Sequence, residues 1–277
     1  MTSFTNPPWA LAWLALALSG CGTEPLPPTG TLSEEVFHSE IVADDYVLRL
    51  RLPPGYDESA RAYPLVVQLD PTFVGLAEYA TTVGLVSQNA AAGGWDEAIV
   101  LGVDYPDPYT RERDYRPPTP LDPEYGGEGA DRFYRVLRDE ILPAIEARYR
   151  IDPARRTLVG HSNGGVFAWY AAFRHVPSEP PLFSGIVAAD CGYDEALFTL
   201  ERWHAERSES LPIVLYASRA VFNGAGQQVA FRAMIDRLRG RGFSGLTLVE
   251  EELETDHGGA VAPSFEAGLA LVLGGAS

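Results

Sequence analysis

Hydrophobic and polar positions change their period several times along this chain. Residues 36–42 and 46–52 alternate apolar and polar side chains around Asp44 and Asp45. That period-2 pattern predicts two strands joined as an antiparallel hairpin. Pro53, Pro54, Gly55 and Tyr56 then form a turn signal. Residues 63–69 and 98–103 are continuous apolar runs instead, as expected of strands buried on both faces of a parallel sheet. Residues 75–92, between them, fit a helix. Residues 130–148 place Phe133, Leu137, Ile141 and Ile145 on one helical stripe, with Pro143 expected to kink it. Strands are expected at 157–159, 184–189, 212–217 and 246–252, and helices at 166–173, 227–239 and 262–273. Antiparallel strands followed by β-α repeats predict an α/β fold: a mostly parallel, doubly wound central sheet with helices on both faces.

The first 31 residues lie outside that pattern. Residues 9–18 are an apolar run too short for a permanent membrane span. The run ends in Leu18-Ser19-Gly20-Cys21, similar to the lipobox of bacterial lipoproteins, so residues 1–21 are expected to be a lipoprotein-type signal peptide. The first eight residues carry no Lys or Arg, unlike most secretory signals. Residues 22–31 are rich in Pro, Thr and Gly and are expected to form an extended tether. Residues 32–277 show no second linker and no repeat, which predicts one domain with a substantial core. The expectation is an exported protein held to the cell envelope by lipid on Cys21, without spanning the membrane.

The formal net charge is −17. An acidic surface disfavours nucleic acid and polyanionic ligands. The chain contains no lysine, which excludes Schiff-base chemistry, Ser-Lys dyads and a Walker-type phosphate loop. Five histidines are scattered without ligand-like spacing, so no metal and no other cofactor is expected. Cys191 is the only cysteine beyond Cys21, and a lone cysteine reads first as a small buried hydrophobe.

The densest chemical signal is Gly160-His161-Ser162-Asn163-Gly164-Gly165, between an apolar strand and a helix-like stretch. Strand, G-x-S-x-G and helix form the context of a nucleophile elbow. The turn lifts the Ser162 oxygen clear of the sheet, and bulk at positions 160 or 164 is expected to collide with the flanking elements. It also aims the Asn163 N–H, at a helix N-terminus, toward developing negative charge.

A serine hydroxyl needs a base, usually a histidine held by a third group. In a nucleophile-elbow fold that histidine follows the last strand. His257 fills this slot, whereas His38, His161, His175 and His204 compete poorly, His204 because it lies in a charged, surface-like stretch. The acid is harder to place. Its usual position follows strand 212–217, yet residues 211–235 contain no Asp or Glu, only Ser218, Arg219 and Asn223 as polar candidates nearby. Asp190, Asp194 and Asp256 are the alternatives, with Asp190 favoured because it lies at the C-terminal end of a strand. A dyad without an acid is the remaining option. A second oxyanion donor is expected after strand 63–69, where Pro71 has no N–H and Thr72 becomes the candidate.

Several segments together resemble bacterial esterases grouped with esterase D and the enterochelin (siderophore) esterases. Residues 63–70 are similar to that family's strand ending in Leu-Asp-Gly. Residues 111–118, Arg-Glu-Arg-Asp-Tyr-Arg-Pro-Pro, resemble its Arg-x-Arg-Asp-Tyr/Phe-Thr-Pro loop, and residues 126–165 its run from a Gly-rich loop to the elbow. The resemblance implies an α/β-hydrolase fold, Ser162 as nucleophile, His257 as base, and Asp70, His161, Arg113 and Tyr115 beside the substrate. Arg111, Arg113 and Arg116 form either a basic rim for an anionic substrate or ion pairs with neighbouring carboxylates. The departures at Pro71, at Ser218-Arg219 and at Asp190-Cys191-Gly192 surround the pocket, so the substrate does not carry over. The expected activity is hydrolysis of a small-molecule carboxylic ester. An acyltransferase using the same residues, and a non-catalytic binding or scaffold lipoprotein on this fold, are the alternatives.

Overall fold

The computed structural model describes residues 30–72, 78–105, 107–117, 129–174 and 179–275. The expected signal peptide and nearly all of the tether lie outside the described residues, and the first strand begins at Thr31, inside the tether's expected end. The strands are β1 (Thr31–Ser39), β2 (Asp44–Leu52), β3 (Tyr63–Leu69), β4 (Ile99–Asp104), β5 (Ile151–His161), β6 (Gly185–Ala189), β7 (Val214–Ala220) and β8 (Thr247–Leu253). They form one sheet in the order β1-β2-β4-β3-β5-β6-β7-β8. The β1–β2 and β2–β4 pairings are antiparallel. All others are parallel. This is the α/β-hydrolase arrangement with its N-terminal antiparallel hairpin.

The helices are α1 (Glu78–Ala91), α2 (Pro108–Tyr115), α3 (Ala130–Arg135), α4 (Leu142–Glu146), α5 (Asn163–Phe173), α6 (Glu195–Ala205), α7 (Ala225–Arg241) and α8 (Val261–Leu273). Side chains alternate across the sheet, which explains why the inner strands are apolar throughout. Val66, Val100, Val159 and Val187 meet Val83 and Val86 of α1 and Phe265 and Leu269 of α8 on one face. Leu65, Val67, Leu158 and Ile186 meet Phe133, Phe167, Phe173 and Met234 on the other. Each such side chain contributes about 1.5–3 kcal/mol by leaving water.

The helices α2 and α6 are additional to the expected pattern, and the stretch 130–146 modifies it. The stretch 130–146 is continuous, but Val136–Ile141 adopts a π-helical turn between α3 and α4. Pro143 falls in the first turn of α4. The wider turn before it lets the chain accommodate a residue without an N–H, so the expected kink appears as a local change of helical pitch. α6 opens with Asp194 as N-cap, its carboxylate accepting from the Leu197 N–H at 3.2 Å. Among the described residues no helix is long and apolar enough to cross a membrane.

Candidate active site

β5 ends at His161, and α5 begins at Asn163. Ser162 makes the turn between them with φ 57° and ψ −123°, a left-handed conformation that L-residues adopt only when their surroundings enforce it. Two constraints enforce it. The Ser162 N–H donates to the carbonyl of Ala189 at the end of β6, at 3.0 Å. A Cβ on Gly160 would lie 2.2 Å from the Gly164 oxygen, so only glycine lets the chain double back so closely. The second crowded position differs from the expected one. A Cβ on Gly165 would meet Cys191 Cβ at 2.8 Å, whereas one on Gly164 would touch Asp70 and Leu69 at 3.3 Å.

His257 lies between β8 and α8, above the C-terminal ends of β5 and β6. His161 reaches it from the elbow: its Nε2 donates to the His257 carbonyl at 2.9 Å. The two rings lie tilted against each other with centroids 4.3 Å apart. On its other side His257 Nδ1 is 2.6 Å from Asp190 Oδ2. Of the three candidate carboxylates, the structure brings this one to the histidine. Asp194 caps α6, and Asp256 accepts from the Gly259 N–H at 2.8 Å. Asp190 follows β6 and is 1% exposed. Burial by itself pushes its pKa up, but hydrogen bonds from His257, the Ala220 N–H and Asn223, together with the Arg219 charge, hold it below its ordinary value. A buried, ionised carboxylate on Nδ1 fixes the tautomer of the ring and leaves Nε2 to take a proton.

The end of β3 forms the other wall. Asp70 turns with φ 52° and pairs through Oδ2 with Arg111 Nε of α2 at 2.8 Å, both side chains buried. Thr72 follows Pro71 at the surface, its hydroxyl bonded to Asp104. The close approach of Gly164 to Leu69 and Asp70 sets this turn beside the Asn163 end of α5. The Asn163 side chain donates to Glu112 at 2.8 Å. Among the described residues the Ser162 hydroxyl has no hydrogen-bond partner.

Several residues expected beside the substrate are structural. Tyr115 is 0% exposed, enclosed by Tyr105, Phe133 and Phe167. Asp70 is buried under Arg111 and so anchors the turn without facing solvent. Arg113 is bound by Asp114 at 2.6 Å and Asp44 at 2.9 Å, and Arg116 by Glu112 at 2.8 Å. The three arginines therefore form ion pairs in place of a basic rim. His161 lies against the His257 ring, 3% exposed. His204, expected at the surface, is 1% exposed, packed on Phe243 with its Nε2 on the Ser210 carbonyl at 3.0 Å. His38 is exposed and pairs with Asp45, and His175 lies outside the described residues. Burial pushes the Cys191 thiol up to about 12, which leaves it inert as a nucleophile.

His161, Asp190 and His257 offer ligand atoms within 4.8 Å of one another. Asp190 and His257 are joined there by the 2.6 Å hydrogen bond, and His161 Nε2 is bonded to the His257 carbonyl at 2.9 Å. Sequence reasoning also passed over the roles of Arg219 and Asn223, which close around Asp190. The signal for them was the missing acid after strand 212–217.

Over 120 residues the chain is 31% identical to the ferri-bacillibactin esterase BesA of Bacillus subtilis, covering 38% of this chain and 40% of that protein. It is 28% identical over 163 residues to a siderophore triacetylfusarinine C esterase of Aspergillus fumigatus, covering 55% and 54%. The chain thus spans about half or less of the length of these relatives. In three dimensions it is similar to an IroE-like serine hydrolase from Shewanella oneidensis, with a TM-score of 0.73 at 22% identity, over 87% of this chain and 79% of the other. Residues 39–208, more than half of the 277-residue sequence, match the family described as "Putative esterase". With the elbow, the histidine and the hydrolase sheet all in place, the chain belongs to that esterase family.

Proposed function

We propose that this protein is a serine esterase acting on a small-molecule carboxylic ester through an acyl-enzyme. The Ser162 oxygen attacks the ester carbonyl while His257 Nε2 accepts its proton. Asp190 stabilises the imidazolium that results. The N–H groups of Asn163 and Thr72 receive the charge that develops on the carbonyl oxygen. Collapse of the tetrahedral intermediate expels the alcohol, which takes the proton from His257. A water molecule, activated by the same ring, then attacks the acyl group and releases the acid and Ser162. The observation that carries this reading is the 2.6 Å hydrogen bond between Asp190 and His257, joined to the elbow through His161.

A cavity of about 230 Å³ opens beside Asn163, lined by Arg116, Val166, Tyr193, Asp194 and Gln227. Its size and mixed polarity suit a short or polar substituent. Together with the net charge of −17, they favour a small neutral ester over a highly anionic ferric catecholate. One relative is a siderophore triacetylfusarinine C esterase and another a ferri-bacillibactin esterase, so a neutral siderophore fragment belongs among the substrates to assay.

The test is fluorophosphonate labelling of the wild type, Ser162→Ala and His257→Ala, alongside hydrolysis of short-chain p-nitrophenyl esters. Labelling and turnover that vanish in both variants support the reading. A folded wild type that is not labelled overturns it in favour of a binding protein. Acyl transfer to an added alcohol, outrunning hydrolysis, identifies an acyltransferase.

We also propose that the protein is exported and anchored by lipid on Cys21. Detergent-phase partitioning that is lost in Cys21→Ala supports this, and an N-terminus beginning upstream of Cys21 overturns it.

A further inference from the structure

We infer that Arg219 and Asn223 are positioning residues that hold the Asp190 carboxylate against His257, from the chain segment where the acid of this fold is ordinarily expected. The inference rests on the serine-hydrolase reading of the site. It starts from the register of two adjacent strands. β6 and β7 pair with Ala189 opposite Ser218, so Asp190 leaves the end of β6 beside Arg219, where β7 continues to Ala220. Asp190 bends there with φ 36°, its N–H donating to the Ser218 carbonyl at 3.1 Å. The acid thus hangs from β6, but its carboxylate lies over the end of β7.

Both carboxylate oxygens are then occupied. Oδ1 accepts from the Ala220 N–H at 3.0 Å and is ion-paired with Arg219 at 2.9 Å. Oδ2 accepts from His257 Nδ1 at 2.6 Å and from Asn223 Nδ2 at 2.8 Å. Arg219, 2% exposed, also donates to the carbonyls of Cys191 and Asn223. One planar guanidinium therefore ties the segment after β6 to the loop after β7, which the single ammonium of a lysine would not do.

Asn223 Nδ2 also lies 2.9 Å from His257 Nδ1. An unprotonated ring nitrogen would repel a carboxylate oxygen at 2.6 Å, so Nδ1 carries the proton and gives it to Asp190. The Asn223 amide sits alongside that bond and donates to the same oxygen. A carboxylate at position 223 would consequently face the same ring nitrogen from the β7 side. Position 223 is a second acid slot, filled here by an amide that orients the acid coming from β6.

The experiment compares Asn223→Ala, Arg219→Lys, Asp190→Asn and the double variant Asp190→Asn/Asn223→Asp in the whole chain. Two readouts are used. One is the far-downfield ring N–H resonance of His257 in proton NMR, which needs no turnover. The other is kcat and KM for p-nitrophenyl acetate. Losing one hydrogen bond to a charged group lowers kcat about tenfold in Asn223→Ala, with KM nearly unchanged. The ring resonance moves upfield or disappears in both Asn223→Ala and Arg219→Lys. The double variant recovers about tenfold or more of what Asp190→Asn loses. Unchanged resonance and kcat in folded Asn223→Ala, with no recovery in the double variant, overturn the inference. Should Arg219→Lys not fold, the half-buried Asn223 decides. A wild type that fluorophosphonate does not label refutes the esterase reading separately, and the NMR comparison still judges the clamp.

Discussion

His161, the residue just before Ser162, holds the His257 loop: its Nε2 is 2.9 Å from the main-chain oxygen of His257, and their rings lie 4.3 Å apart at 34°. The elbow and the loop that carries the base thus move as one piece. His161→Leu keeps the packing volume roughly intact but removes the donor. It lowers kcat about five- to thirtyfold with little change in KM, as expected for one lost buried hydrogen bond of about 1–2 kcal/mol. His161→Gln, whose amide again donates, recovers part of the loss. Equal kcat in His161→Leu and the wild type would show that the base loop is held by other contacts.

Asp190 makes stability depend on pH in a defined direction. Its pKa in the folded protein is lowered, so the stabilisation is fully present above the unfolded carboxyl value of about 3.9 and is lost as pH falls through the folded value. Denaturant unfolding of wild type and Asp190→Asn reads this directly. The stability difference between the two stays constant from about pH 7 to 5 and shrinks below about pH 4. A difference that grows on acidification would contradict the assignment of Asp190 as an ionised, hydrogen-bonded group.

The Arg111–Asp70 pair is buried on both sides. Breaking one partner of such a pair typically costs about 3–5 kcal/mol, because the other is left as an uncompensated charge. Arg111→Met therefore destabilises by that order in guanidinium unfolding. Arg111→Met/Asp70→Asn, which removes both charges and keeps a side chain tolerant of φ 52°, regains most of it. Equal stability of the single and double variants would mean the pair contributes little to holding the turn.

Crowding at the elbow ranks its glycines. Gly160→Ala places a methyl 2.2 Å from a backbone oxygen, whereas Gly164→Ala makes only a tight 3.3 Å contact. Overpacking costs of about 1–3 kcal/mol and occasionally more apply, with Gly160→Ala at or above the top of that range and Gly164→Ala near the bottom. Fluorophosphonate labelling should be lost in the first and retained in the second. Thermal melts and labelling of the two variants check the ranking.

Much of this fold was legible because its inner strands are buried on two sides. Continuous apolar runs such as 63–69 and 98–103 have few other uses. The elbow was legible because its chemistry is local, six residues with strand and helix on either side. What failed were inferences needing a third dimension. α2 went unrecognised because Arg111, Arg113 and Asp114 look like surface residues in a hydropathy pattern, yet Arg111 and Asp114 are buried, their charges neutralised by Asp70 and Arg113. Tyr115 and Asp70, which the resemblance sets beside a substrate, are likewise buried. Among Asp190, Asp194 and Asp256 the strand-end position already favoured Asp190. That its carboxylate reaches over β7 to His257, and that Asp194 is occupied as an N-cap, follows only from the pairing of β6 with β7 and the start of α6.

The main-chain N–H of Ser162 is held by Ala189 on β6, and that of Asp190 by Ser218 on β7. Ser162 and Asp190 are therefore rungs at the end of the same hydrogen-bonded ladder that holds the core together. Disordering them separately would mean unzipping the sheet from its C-terminal edge, strand by strand. On warming, the chemistry and the fold then fail as one cooperative event: the curve of lost turnover against temperature superimposes on the curve of global unfolding, with no cooler interval in which an intact protein has already fallen silent.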